Sequence, residues 1–195
     1  RDRSPSRGLG DVYKRQGYSR FTASKNKIQA ELTAFVPLKE SCEVNRLILT
    51  NHNTTEETID LTSYVEFCFW NAVDDSTNFQ RNLSLGEVEV EESTIYHKTE
   101  YRERRNHFAY YTVNSPVAGF DTSRDDFLGV YGSIEHPETV YAGISHNSVA
   151  SGGAVIGSHH LKLTLKPGES KSLIFVLGYS CLLYTSPSPR DGLLS

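Results

Sequence analysis

Asn71, Asn78, Gln80, Arg81 and Asn82 crowd one polar stretch, and they are the side-chain types that a sugar site uses. Planar amides donate and accept in fixed directions and a guanidinium donates as a fork, so such a set can address several hydroxyls. Turn-forming asparagine is an equal reading on chemistry alone. Asp74 and Asp75, with Asp121, Asp125 and Asp126, offer carboxylates for acid–base work or for a cation. Their spacing matches no calcium loop, and solvated turn carboxylates are the stronger reading. His146, His159 and His160 lack the spacing of a zinc site, and adjacent histidines on a strand face opposite ways, so no metal is expected. The charged run Tyr96–His107 (YHKTEYRERRNH) interleaves aromatics with Arg and Lys, but its acids favour an ion-paired strand and turn, or a covered surface, over nucleic acid. Neither Cys42 nor Cys68 has a Lys or His neighbour to activate it. No serine triad, phosphate loop or dinucleotide motif occurs, so no catalytic residue is assigned.

The elements that must hold these groups are strands. Ile28, Ala30, Leu32, Ala34 and Val36 alternate with polar partners, as do Leu161, Leu163 and Leu165, and Val88 and Val90. Period two with one wet face is the mark of antiparallel sheets. Further strands are expected over Val44–Thr50, Thr58–Trp70, Thr94–Thr99, Phe108–Val113 and Ser172–Tyr179, with turns at Asn51–Thr54, Asn114–Pro116, Gly152-Gly153 and Pro167-Gly168. Two long polar loops are expected, Asn71–Asn82 and Gly119–Phe127. The fold class is all-β, an antiparallel sandwich in one domain.

The chain's ends read differently. Ser6–Gln16 (SRGLGDVYKRQ) back-translates to a read ending GATGTGTATAAGAGACAG, a transposase end used in sequencing libraries, and Cys181–Asp191 (CLLYTSPSPRD) is encoded by its complementary strand. Residues 1–16 and 181–195 are therefore expected to be translated adapter without ordered structure, flanking a domain over 17–180. The absence of Met fits an interior piece. The whole chain carries a net charge of −4, and the 17–180 segment, with 14 basic and 21 acidic residues, carries −7. A phosphate-backbone binder would show a basic excess, so no nucleic-acid partner is expected. No apolar run approaches a membrane span, so none is expected there either. Two cysteines in an acidic domain suggest reduced thiols and a cytoplasmic setting.

Long strings carry a resemblance: Ser63–Glu91 (SYVEFCFWNAVDDSTNFQRNLSLGEVEVE), Ile95–Asn114 (IYHKTEYRERRNHFAYYTVN), Gly119–Tyr131 (GFDTSRDDFLGVY) and Ser145–Gly153 (SHNSVASGG), then IGSHHLKLTLKPGE and FVLGY. In order and spacing, Gly17–Tyr179 resembles the N-terminal domain of cellobiose phosphorylases, a family of inverting glycoside phosphorylases that also includes chitobiose phosphorylases. NFQRN and YHKTEYRERRNH look most like the cellobiose branch. Gly153 departs from a Trp-containing string usual in these enzymes, which puts local packing there in doubt.

The resemblance implies a β-supersandwich of the galactose-mutarotase type, ahead of a helical linker, a helical catalytic barrel and a small β domain. It implies a glycosyltransferase-type activity: phosphorolysis of cellobiose to α-glucose 1-phosphate and glucose with inversion. Inorganic phosphate is then a co-substrate in place of the activated water of an inverting glycosidase, and no cofactor is implied. The acid and the phosphate-binding groups of the family lie in the barrel, so the 17–180 segment alone is expected to be inactive. Expected partners are that barrel, a homodimer partner, and cellobiose or glucose. Asn71, Asn78, Gln80 and Arg81 fall where the family's N-terminal domain reaches the acceptor side of the site. A stand-alone carbohydrate-binding sandwich is the competing reading, and it would show an aromatic platform.

Overall fold

The computed structural model describes residues 12–15, 17–67, 86–101, 104–151 and 154–180, with backbone alone for 12–15, 86–87, 99–101 and 104–107. Among the described residues the chain forms β1 (Val12–Arg15), β2 (Tyr18–Lys25), β3 (Ile28–Phe35), β4 (Cys42–Asn51), β5 (Glu57–Thr62) and β6 (Val65–Glu66). Then follow β7 (Gly86–Glu91), β8 (Thr94–Tyr101), β9 (Arg104–Val113) and β10 (Gly119–Ser123). Two short helices, α1 (Arg124–Leu128) and α2 (Glu138–Ala142), precede β11 (Val155–Leu165) and β12 (Ser170–Ser180). One sheet has the order β1-β2-β3-β4-β12-β9-β8-β7, and the second has β10-β11-β5 with β6 also on β11. All these ladders are antiparallel. The all-β supersandwich expected from the alternation is the fold.

The turn between β11 and β12 carries the chain from the small sheet to the large one. Gly168 supplies its positive φ of 75°. Asn51, fully buried, binds it from the end of β4: its N–H donates to Glu169 O at 3.0 Å and its O accepts from Gly168 N at 2.8 Å. Its Nδ2 donates to Leu165 O and Thr55 O, both at 2.9 Å, while Oδ1 accepts from Asn53 N at 2.9 Å. Every polar atom of that side chain is thus used, which is the condition for burying an amide.

The core lies between the sheets. Leu49, Tyr111, Val113, Leu173 and Phe175 of the large sheet face Leu161, Leu163 and Leu165 of β11, while Lys162 and Thr164 point to water. Each such apolar side chain contributes about 1.5–3 kcal/mol of burial. Tyr111 stacks on His159 at 4.8 Å and on Phe175 at 6.1 Å, and Phe67 meets His97 at 5.3 Å. Burial drives the pKa of His97 and His159 down to about 4, with the Ser93 carbonyl opposing it at His159. Burial likewise pushes the Tyr111 hydroxyl up to about 12.

The structure corrects the reading in four places. The run Thr58–Trp70 is broken at Ser63, whose N–H donates to His159 O at 2.9 Å and whose Oγ accepts from His159 N at 3.1 Å, so β5 and β6 pair with separate parts of β11. Residues 68–70 of that run lie outside the described residues. Gly119–Phe127 is not a polar loop but β10 and most of α1. The polar pattern misleads there because Asp121, fully buried, is an internal acceptor: it takes N–H bonds from His146 and Ser148 and a 2.7 Å bond from Ser148 Oγ. Strand β2 was not foreseen, since its side chains are mostly exposed and polar. Finally, residues 1–16 were expected to lack structure, yet Val12–Arg15 pairs with Tyr18–Phe21. A β-prone tetrapeptide ahead of Gly17, at φ 97°, can close a hairpin on any free sheet edge.

Two outcomes follow. Because the folded pKa of His97 and His159 lies below that of the unfolded chain, stability is complete above about pH 6.5 and is lost as pH falls toward 4. The loss is on the order of several kcal/mol for the pair. Urea midpoints measured from pH 7 to 4 should fall steeply, and His159→Phe should flatten the slope; a flat wild-type profile would contradict buried neutral imidazoles. Asp121→Asn turns an acceptor toward three donors and should cost about 2–3 kcal/mol, read as a lower urea midpoint at constant m.

Candidate functional site

The β11–β12 turn fixes one end of the sandwich, so Val155 and Ser180, the far ends of those two strands, both lie at the other end. The connections that carry chemistry leave from there. β6 pairs with Ile156 and Gly157 and delivers Phe67 to that end. Gly86, opposite Thr99, starts β7 there, and the link between β8 and β9 extends beyond the pairing of Phe108 with Ser180. The β3–β4 connection opens at the same end, since Phe35 pairs with Val44. Asn71, Asn78, Gln80 and Arg81 lie outside the described residues, as do Asn82, Asp74, Asp75, Cys68 and Gly153. The strands on either side of the 68–85 segment nonetheless both open at this end. So does the turn of the Tyr96–His107 stretch, whose residues 102–103 lie outside the described residues.

A group that the sequence reading missed sits at the root of that segment. Arg124 Nε donates to Glu66 Oε1 at 3.1 Å, and Tyr64 OH donates to the same oxygen at 2.5 Å. The Tyr64 ring meets Phe127 at 5.0 Å, with Phe127, Leu128 and Ile156 forming a small second core. Burial first, then the Glu66 hydrogen bond, pushes the Tyr64 hydroxyl up to about 12, against the Arg124 guanidinium. The same Glu66 bond raises Arg124 above its ordinary value. Glu66 and Arg124 are 58 residues apart, and nothing in their spacing announces the pair. It holds α1 against β6; it is not an acid–base couple, because Tyr64 stays protonated and Arg124 charged at neutral pH.

The other candidates are dispersed. Asp125 and Asp126 are exposed on the first turn of α1, where Ser123 caps Asp126 N at 3.3 Å, as suits carboxylates near a helix start. Asp121 faces inward instead, so the solvated reading fails for that one residue. His146 is exposed, His159 lies in the core, and His160 Nε2 pairs with Asp60 Oδ1 at 2.8 Å. Among the described residues no three His, Cys, Asp or Glu side chains gather as a metal site. Cys42 is a free, partly buried thiol. No helix among them is long and apolar enough to cross a membrane.

Between α1 and β11 the chain presents apolar side chains to water: Val130 is 89% exposed, Tyr131 100%, Tyr141 71% and Ile144 54%. This segment is held from beneath rather than loose. Asp121 grips His146 and Ser148, Thr122 Oγ1 accepts from Ala150 N at 2.8 Å, and Gly143 closes α2 in the left-handed region at φ 65°. An exposed apolar surface on a fixed frame marks an interaction face.

Residues 7–186 match the family model described as glycosyl hydrolase 94, supersandwich domain. The chain is 33% identical over 165 residues to an N,N'-diacetylchitobiose phosphorylase of Vibrio proteolyticus, covering 83% of this chain and 20% of that protein. It is 28% identical over 157 residues to a solabiose phosphorylase of Paenibacillus borealis, covering 78% and 20%. Among solved structures, one described as a kojibiose phosphorylase from the human microbiome superposes with a TM-score of 0.50 at 8% identity, over 84% of this chain and 17% of that one; this likeness concerns the fold alone. The chain thus spans about a fifth of the length of the curated relatives it matches. With the sheet order, the crossing turn and a match over nearly the whole chain in hand, it belongs to the glycosyl hydrolase 94 family, as a supersandwich domain of that family's glycoside phosphorylases.

Proposed function

We propose that this domain serves a cellobiose phosphorylase-like parent, which converts cellobiose and inorganic phosphate to α-glucose 1-phosphate and glucose with inversion. The match of residues 7–186 to the supersandwich family carries the reading. The named relatives act on chitobiose and solabiose; cellobiose rests on the NFQRN and YHKTEYRERRNH strings of this sequence. In this reading the domain performs no chemistry itself. It orders the acceptor side of the site through Asn71, Asn78, Gln80 and Arg81, and its apolar face over 130–144 is covered by the rest of the parent or by a homodimer partner. Geometry supports the assignment in one respect: the strands flanking the 68–85 segment open at the end where the long connections gather.

Replacing Asn78 by Ala in the parent enzyme should raise the KM for glucose in the synthetic direction by about tenfold, the cost of one or two lost hydrogen bonds to a hydroxyl. The KM for phosphate should stay unchanged; equal losses in both would remove the acceptor role. For the 195-residue chain itself, Tyr131→Asp with Ile144→Lys should suppress concentration-dependent association in sedimentation while leaving the urea midpoint within about 0.5 kcal/mol, as befits surface positions. A monomer at all concentrations without these changes would speak against a covered face.

A further inference from the structure

The face of the large sheet turned away from the core carries its own aromatic surface. Along β8 and β9, Ile95, His97, Ala109 and Tyr111 are buried, so Tyr96, Lys98, Phe108 and Tyr110 point the other way. Cross-strand register sets Glu89 beside Tyr96, Tyr96 beside Tyr110, Tyr110 beside Gly178, and Lys98 beside Phe108. Gly178 is the key to the arrangement. A Cβ there would lie 2.1 Å from Tyr110 Cζ and 2.3 Å from its hydroxyl, so the tyrosine ring lies across the glycine backbone. Beside it, Glu89, Tyr96, Lys98 and Phe108 line a shallow depression of about 170 Å³.

The geometry points to a second carbohydrate contact here, a stacking site for one neutral hexose ring, distinct from the acceptor-side segment between β6 and β7. A pyranose offers a flat C–H face and a rim of hydroxyls. Tyr96 and Phe108 supply the apolar body for that face, as aromatics do when one side is dry and the other wet. Glu89 and Lys98 supply an acceptor and donors at the rim. Their charges cancel, so the depression is matched to a neutral polyol rather than to a phosphate or a cationic peptide. The depression suits a single ring and not a long chain threaded through a cleft. The carbohydrate class rests on the proposed function; the location does not.

The test is saturation-transfer NMR on the 195-residue chain with cellobiose, and separately with methyl β-glucoside, as probes. Transfer should reach the ring C–H protons of one hexose unit. Tyr96→Ala should weaken binding about tenfold, the scale of one lost aromatic contact, and Tyr96→Trp should retain it. Glu89→Gln should weaken it several-fold, and Gly178→Ala should weaken it by displacing Tyr110, with urea midpoints confirming that each variant folds. Asn78→Ala should leave it unchanged. No transfer, or transfer indifferent to Tyr96→Ala, overturns the site. Loss through Asn78→Ala alone would move the contact to the acceptor-side segment, overturning the outer-face site while leaving the proposed function intact. Chain self-association abolished by Tyr96→Ala, without sugar signals, would make this face a protein interface and equally overturn it.

Discussion

The crossing from β11 to β12 is the constraint on which the rest of the sandwich depends. These two strands lie in different sheets, yet a turn of four residues, Lys166–Glu169, joins them. That short tether brings Leu161, Leu163 and Leu165 against Leu173 and Phe175 and so defines the core. Asn51 locks the turn with its backbone and its amide together. An amide buried this deeply is worth having only if every donor finds an acceptor; a half-satisfied one would cost more than an apolar replacement. With one end closed in this way, the strands can splay and the connections can lengthen only at the other. The division into a closed end and an open end is therefore a consequence of topology and one buried side chain.

Two different solutions keep polar groups inside. His97 and His159 are accommodated by losing their charge, which is why burial holds them well below the ordinary histidine range. Asp121 is accommodated by bonds, with backbone N–H groups of His146 and Ser148 and one hydroxyl directed at its carboxylate. The first solution makes the core sensitive to acid. The second makes β10 the anchor of the exposed segment between α1 and β11, so that the apolar side chains of that segment stand on a fixed base.

How much of this was legible depended on whether a side chain's surroundings could be read from its neighbours in sequence. Leu161, Leu163 and Leu165 alternate with Lys162 and Thr164, and the sequence alone places that strand and its wet face. Ile28–Phe35 reads equally well. Gly119–Ser123 does not, because Asp121 and Thr122 are buried for partners 25 residues and more away, and a buried Asp looks in sequence like an exposed one. The break at Ser63 was hidden likewise, since its hydroxyl replaces a backbone group of a partner 96 residues on. Tyr64, Glu66 and Arg124 form a group only through the docking of α1. For Asn71, Asn78, Gln80 and Arg81, residue type pointed to sugar hydroxyls, while their position follows from strand register on either side.

The perturbed groups also bear on where chemistry can occur. A general acid works best with a pKa near the operating pH, where it can both hold and release its proton. Burial moves Tyr64 and Tyr111 up to about 12 and His97 and His159 down to about 4, so at neutral pH all four are fixed in their neutral forms. Environments that push a group away from neutrality on both sides serve packing, whereas an inverting site must hold an acid poised for the leaving oxygen. The burial that makes this sandwich stable is the same burial that takes its histidines and tyrosines out of proton transfer. That supports the division proposed above, in which the supersandwich presents surfaces and hydroxyl-binding side chains at its open end and leaves proton transfer to another part of the parent enzyme.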